Sequence, residues 1–255
     1  MSHAPFETPP GRPGLPARIT SPTGLAVTAL VGIALVFYHR LWLPGLVLIA
    51  RDAFRFFLPV KQHLVERLSA GELPQWFPYE ALGRPILATS AAGVFHPFTA
   101  LYLLLPVPDA YRASVLVSCL LAALGAFALG RALRVSPAGS TVAGIAFALS
   151  GYIVSLTENS VYLFSICTLP LFCVALEHAL AKRRVWVVAP AAIWATVLLI
   201  GDIQTGYYYL FIAALWTATR APGPYRTALL RLALVGGLTA LLAGVQLGPA
   251  WAVYA

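Results

Sequence analysis

From Gly24 to its end the chain is a succession of apolar runs separated by short polar breaks. Most of the runs come close to the ~20 residues that cross a hydrocarbon core about 30 Å thick. They are Gly24–Leu43, Ala113–Ala132, Ala138–Leu156, Val161–Ala181, Val185–Ile200, Gly206–Thr219 and a last one from Leu232 onward. The pattern predicts an all-α fold, a polytopic transmembrane helical bundle of about seven spans. Composition excludes an ordinary soluble domain. Hydrophobic residues make up 60% of the chain and charged ones 10%, against roughly a quarter charged in soluble proteins. Mean hydropathy is +0.81.

The net charge of +8 is met by basic loops against anionic headgroups. No aromatic-basic RNA motif or basic helix accompanies it, so nucleic acid is not an expected partner. Cys119, Cys167 and Cys173 all lie inside apolar runs and form no CxxC pair, which points to packing and not to a disulfide framework. No phosphate-cradling glycine loop, HExxH motif or nucleophile elbow is present.

Residues 1–23 are rich in Pro and Gly and read as a disordered tail. Residues 24–255 form the membrane domain, with residues 44–110 as its long first loop. Within that loop Pro59–Leu68 is expected to form a short helix lying on the bilayer surface, with Leu64, Val65 and Leu68 toward the membrane. Phe98–Leu105 is apolar but too short to span. Trp251–Ala255 ends inside an apolar run, which reads as a boundary cut through a larger membrane protein.

Loop charge sets the expected orientation. Arg12 and Arg18, Arg131 and Arg134, Lys182 to Arg184, and Arg220, Arg226 and Arg231 fall in alternate loops and make up ten of the seventeen cations. The opposite short loops, 157–160 and 201–205, carry no cation. The positive-inside rule then makes the N-terminus cytoplasmic and the 51–97 loop extracytoplasmic. Asp52, Glu80, His96, Glu158, Asn159 and Asp202 all come to the outer face.

Each candidate has a plain alternative. Asp52 suits a general base that takes a proton from an acceptor hydroxyl; it equally suits a helix cap. Arg51, Arg55 and Arg84 suit a phosphate leaving group, which guanidinium forks grip; they also suit snorkelling to lipid phosphates. Trp76, Phe77 and Tyr79 could stack on a sugar or form an interfacial aromatic belt. Glu158-Asn159 and the 201–205 island, with Asp202 and Gln204, are either site walls or solvated turns. His96 is either a ligand or a structural histidine.

The run from Asp52 through FFLPVKQHLVERLSAGELPQWFPYEALGRPILATSAAGVFHPFTALYLLLP resembles the first external loop of the YfhO-like bacterial membrane proteins. AGIAFALSGYIVSLTEN (143–159), LLIGDIQTGYYYL (198–210) and LLAGVQLGPA (241–250) agree with that family in order. Relatives often carry His where this chain has Asp202, and they are longer. The resemblance implies a GT-C-type glycosyltransferase of the bacterial inner membrane. Such an enzyme would transfer a sugar from a polyprenyl-phosphate-linked donor to an extracytoplasmic acceptor, whether a cell-envelope polymer, a lipid or a protein. Asp52 matches the acid of the first external loop and is the expected base. Arg51, Arg55 and Arg84 would bind donor phosphate. Trp76, Tyr79, Glu80, His96, Glu158, Asn159, Asp202 and Gln204 would line the sugar and acceptor cleft. A divalent cation is an open cofactor. The alternatives are a polytopic transporter or lipid flippase, which would place charges within spans, and a non-catalytic membrane scaffold.

Overall fold

Each of the seven apolar segments becomes helical in the computed structural model, which describes residues 21–43, 45–49, 52–80, 82–88, 92–181 and 184–254. The first helix, α1 (Pro22–Phe37), starts where Ser21 accepts a hydrogen bond from the Gly24 N–H at 3.0 Å and Pro22 fills the first turn. The expected tail 1–23 therefore ends just ahead of Pro22, and residues 1–20 lie outside the described residues. A short turn, α2 (His39–Trp42), follows.

The long loop folds into its own small structure. A π-helical turn (Ala53–Phe57) leads directly into α3 (Leu58–Ser69). Two short strands, β1 (Trp76–Phe77) and β2 (Arg84–Pro85), pair antiparallel with Trp76 opposite Pro85 and Phe77 opposite Arg84. The helix α4 (Thr99–Leu104) closes the segment.

The surface-helix expectation for α3 needs correction. Leu64 is fully buried, and with Val60, Phe77, Ile86, Ala92 and Val94 it makes a core beneath the loop, against which Leu68 also packs. Val65 packs against the main core. The apolar stripe of α3 is spent on the protein and not on the bilayer.

The bundle proper holds α5 (Val107–Ala132), α6 (Pro137–Ala148), α7 (Gly151–Ser155), α8 (Ser160–Ala181), α9 (Val188–Leu199), α10 (Ile203–Arg220) and α11 (Tyr225–Tyr254). Among the described residues four helical stretches are long and apolar enough to cross a membrane: Val107–Ala132, Pro137–Glu158, Ser160–Ala181 and Tyr225–Val253. Pro22–Phe37 and Val185–Leu199 are apolar but shorter.

Helix α5 is central, packed against α6 and α8, while α9 packs against α11. One core joins Leu30, Phe57, Tyr102, Tyr111, Val115, Cys119 and Leu163; a second joins Phe172, Leu176, Trp194, Val197, Tyr209 and Val235. The three cysteines are buried with free thiols, as packing residues would be. Hydroxyls inside the bundle bond back to helix carbonyls, Ser114 to Tyr111 at 2.7 Å and Ser118 to Ser114 at 2.8 Å.

Contacts between loops and helix ends sort the bundle into two ends. Tyr111 reaches Glu158, Arg112 reaches the Leu43 carbonyl, and Gln246 donates to the Leu87 carbonyl at 2.7 Å. Those residues define the end that carries the long loop. At the other end Arg220 pairs with Glu177 at 3.0 Å, and Arg231 donates to the Ala179 carbonyl at 3.1 Å and to that of Leu180, capping the C-terminus of α8.

Candidate functional site

Three separate segments meet around Asp52. Its carboxylate makes no helix-capping bond and is exposed, although it begins the π-helical turn. A cavity of about 350 Å³ opens beside it, lined by Asp52, Phe56 and Phe57 from the loop, by Asn159, Val161 and Tyr162 from the start of α8, and by Gly201 from the turn before α10. The walls are fixed from behind. Tyr111 on α5 donates its hydroxyl to the Glu158 carbonyl at 3.1 Å, and its ring lies 6.4 Å from that of Phe57. The Asn159 side-chain oxygen accepts from the Tyr162 N–H at 3.3 Å and so caps α8. An available carboxylate beside an amide and three aromatic rings can take a proton from a hydroxyl held in the cavity.

The 201–205 island contributes less than its composition suggests. Asp202 is only 2% exposed and serves as the N-cap of α10, accepting from the Thr205 N–H at 2.8 Å. Its second oxygen has no partner among the described residues. Gln204 is exposed and donates to the Tyr208 hydroxyl at 3.1 Å. Neither side chain lines the Asp52 cavity; Gly201 does. Glu158 supplies its backbone carbonyl to Tyr111, one residue from the cavity wall.

The cations divide. Arg51 lies outside the described residues. Arg55, three residues after Asp52, lines a different cavity of about 460 Å³ whose other walls, Phe54, Leu58, Pro59, Gln62, Val107 and Pro108, are mostly apolar. Arg84 is engaged already. It pairs with Glu80 at 2.8 Å, and its guanidinium lies 4.7 Å from the centre of the Phe56 ring and 5.6 Å from that of Phe77. It therefore backs the Asp52 cavity through Phe56 and does not line it. Tyr79, 75% exposed, sits edge-on to His63 and Phe77. Trp76 belongs to a third cavity, with His63, Arg67 and Gln75.

His96 is a core residue. Its Nδ1 accepts from the Phe98 N–H at 3.1 Å, and its ring packs 4.5 Å from that of Phe164. Nε2 has no partner among the described residues. Burial, and then the charge of Lys61, push its pKa down to about 3, so the ring is neutral at neutral pH.

Lys61 is the residue that sequence reading passed over. It is 5% exposed, donates to the Ala92 carbonyl at 2.6 Å and lies 5.1 Å from the centre of the Tyr102 ring. Burial lowers its pKa to about 8. A signal was available, because Lys61 falls on the same helical stripe as Phe57 and Leu64. Among the described residues, no three His, Cys, Asp or Glu side chains gather into a group that could hold a metal ion.

No curated protein and no solved structure matches this chain. The protein-family model described as bacterial membrane protein YfhO matches residues 25–253, nearly the whole length. It spans the loop, the three segments around the cavity and the bundle behind them. The chain therefore belongs to the YfhO family of bacterial membrane proteins.

Proposed function

We propose that this protein is a GT-C-type glycosyltransferase, transferring a sugar from a polyprenyl-phosphate-linked donor to an extracytoplasmic acceptor. The observation that carries the reading is the convergence of Asp52, Asn159 and Gly201, from three distant segments, on one cavity at the loop-bearing end of the bundle. In the proposed reaction the Asp52 carboxylate takes the proton of an acceptor hydroxyl. The hydroxyl oxygen bonds to the anomeric carbon as the bond from that carbon to the phosphate oxygen breaks, and the prenyl phosphate leaves with the electron pair.

Arg55 is the cation best suited to the leaving phosphate, since its cavity offers one guanidinium beside apolar walls that a prenyl chain would occupy. Arg84, neutralised by Glu80, supports the wall through Phe56 instead. In this reading the N-terminus is cytoplasmic, the 51–97 loop is extracytoplasmic and all seven apolar segments cross the inner membrane, the shorter ones beside locally thinned bilayer.

The test is transfer of labelled sugar from polyprenyl-phosphate donors in membranes carrying the protein or its Asp52→Asn variant. The expected loss is ~10²–10⁴-fold, the range that a positioned base contributes, with insertion unchanged. Wild-type rates in Asp52→Asn would remove Asp52 from the mechanism. No transfer with any donor, despite correct insertion, would favour a transporter.

A further inference from the structure

Trp76 faces a cavity of its own, about 580 Å³ in volume, within the ~300–1,000 Å³ common for small-molecule pockets. Its indole is seated deliberately. A Cβ on Gly83 would lie 2.4 Å from Trp76 Nε1 and 2.5 Å from Cε2, so only a bare glycine admits the ring; Gly83 also has a φ of +95°. The pairing of Trp76 with Pro85 holds the strand, and His63 Nε2 meets the Trp76 carbonyl at 2.9 Å, tying the hairpin to α3. Held from both sides, Trp76 is still 53% exposed.

The other walls are mixed: Leu73 and Pro78 are apolar, while His63, Arg67, Glu72 and Gln75 are polar. Gln75 brings an amide, while Arg67 and Glu72 bring a guanidinium and a carboxylate that pair with each other. An aromatic face takes the C–H face of a sugar ring, and amide, carboxylate and guanidinium exchange hydrogen bonds with its hydroxyls. The ion pair cancels its own charge, so the complementary ligand is neutral. Contact with lipid accounts for an exposed tryptophan, but not for an ion pair and an amide in the same wall, which apolar surroundings would penalise.

We propose that this cavity is a carbohydrate subsite, separate from the Asp52 cavity, that takes a neutral pyranose ring of an extended glycan. The identification of that glycan as the acceptor rests on the transferase reading above. The two cavities are joined through the hairpin, since Arg84, opposite Phe77 on β2, stacks on Phe56 in the Asp52 wall. An acceptor several sugars long is thereby gripped at Trp76 while another of its sugars reacts at Asp52.

The test is binding of maltohexaose, cellohexaose and chitohexaose to the protein in nanodiscs, followed by calorimetry and tryptophan fluorescence. At least one should bind. Trp76→Ala should weaken it tenfold or more and Gln75→Ala by a smaller factor. Gel filtration and circular dichroism verify that the variants are folded, and Gln75→Ala carries the test should Trp76→Ala misfold. Binding by none of the three glycans, or equal binding by folded Trp76 and Gln75 variants, overturns the subsite. So does quenching of Trp76 fluorescence by bromine-chain lipids, which would put the indole in the bilayer. Glycan binding without sugar transfer leaves the subsite and refutes the transferase; transfer without Trp76-dependent binding does the reverse.

Discussion

Lys61 carries its ammonium into the loop core, where a carbonyl and an aromatic ring are its contacts and no carboxylate pairs with it among the described residues. Burial lowers its pKa from the ordinary 10.5 to about 8. Between those values the unfolded chain holds a proton that the folded one has shed, so stability rises with pH across this window, and the penalty is complete below it. Lys61→Met, of similar length, should gain most over the wild type at neutral pH and lose that advantage as pH climbs toward 10.5. The change is at most about 3 kcal/mol at ~1.4 kcal/mol per unit. Melting curves of the two proteins from pH 7 upward check it, and a gap that does not vary with pH would contradict it. Asp202 gives a second single-residue prediction. As the N-cap of α10, its replacement by Ala should cost about 1 kcal/mol, while Asn should cap nearly as well. Sugar transfer should survive in Asp202→Asn; its loss at unchanged stability would move Asp202 into the chemistry. These two residues also mark the reach of sequence reading. The type and spacing of Asp202 suggested a site wall, and the structure places it as the cap of α10, accepting from the Thr205 N–H. The role of Lys61 is decided by a loop core that closes on Ala92, 31 residues away.

Helices were legible because hydropathy is a local property, and each apolar run became helical. Their limits and facing were not, because these depend on distant partners. The first run breaks at Tyr38, whose hydroxyl donates to the Ala148 carbonyl at 2.6 Å across 110 residues. The apolar stripe of α3 points into the loop because β1 and the 86–94 segment arrive to cover it, and nothing in the helix itself reveals that cover. Close helix packing is similarly long-range. Gly144 on α6 lies so near α5 and α1 that an added Cβ would stand 2.8 Å from the Ala123 carbonyl oxygen and 2.8 Å from a Leu30 methyl. The leucine could rotate away, but the backbone oxygen cannot. Gly144→Ala should therefore destabilise the α1–α5–α6 contact by about 1–3 kcal/mol, the usual cost of overpacking. A lower melting temperature in detergent, with no change in which glycans bind, is the expected result; an unchanged melting temperature would mean that α6 can shift freely.

At the scale of the molecule, charge asymmetry made the site's assembly readable before any contact was known. The short loops 157–160 and 201–205 carry no cation while the loops that alternate with them are basic, and the 51–97 loop shares their side despite its own five cations. Segments on the same side can meet, and Asp52, Asn159 and Gly201 do. The division of Arg55, Arg84 and Trp76 into other environments was beyond that logic, since sidedness says which end a residue reaches but not which neighbour occupies the space beside it. The orientation itself is testable. Gln204→Cys, exposed near the loop-bearing end, should react with an impermeant thiol reagent in intact cells. Arg226→Cys, exposed near the opposite end, should react only after the membrane is opened. The three native thiols are buried and give little background; the reverse labelling pattern would invert the topology. Finally, the bond from Gln246 to the Leu87 carbonyl spans 159 residues. A ribosome releases the loop long before it releases α11, so the nascent loop waits, with that carbonyl unclaimed, until α11 has entered the bundle. The loop is thus fastened only once α11 is in place, and a chain halted before Gln246 would hold every residue of the cavity yet lack the clasp that holds the loop above it.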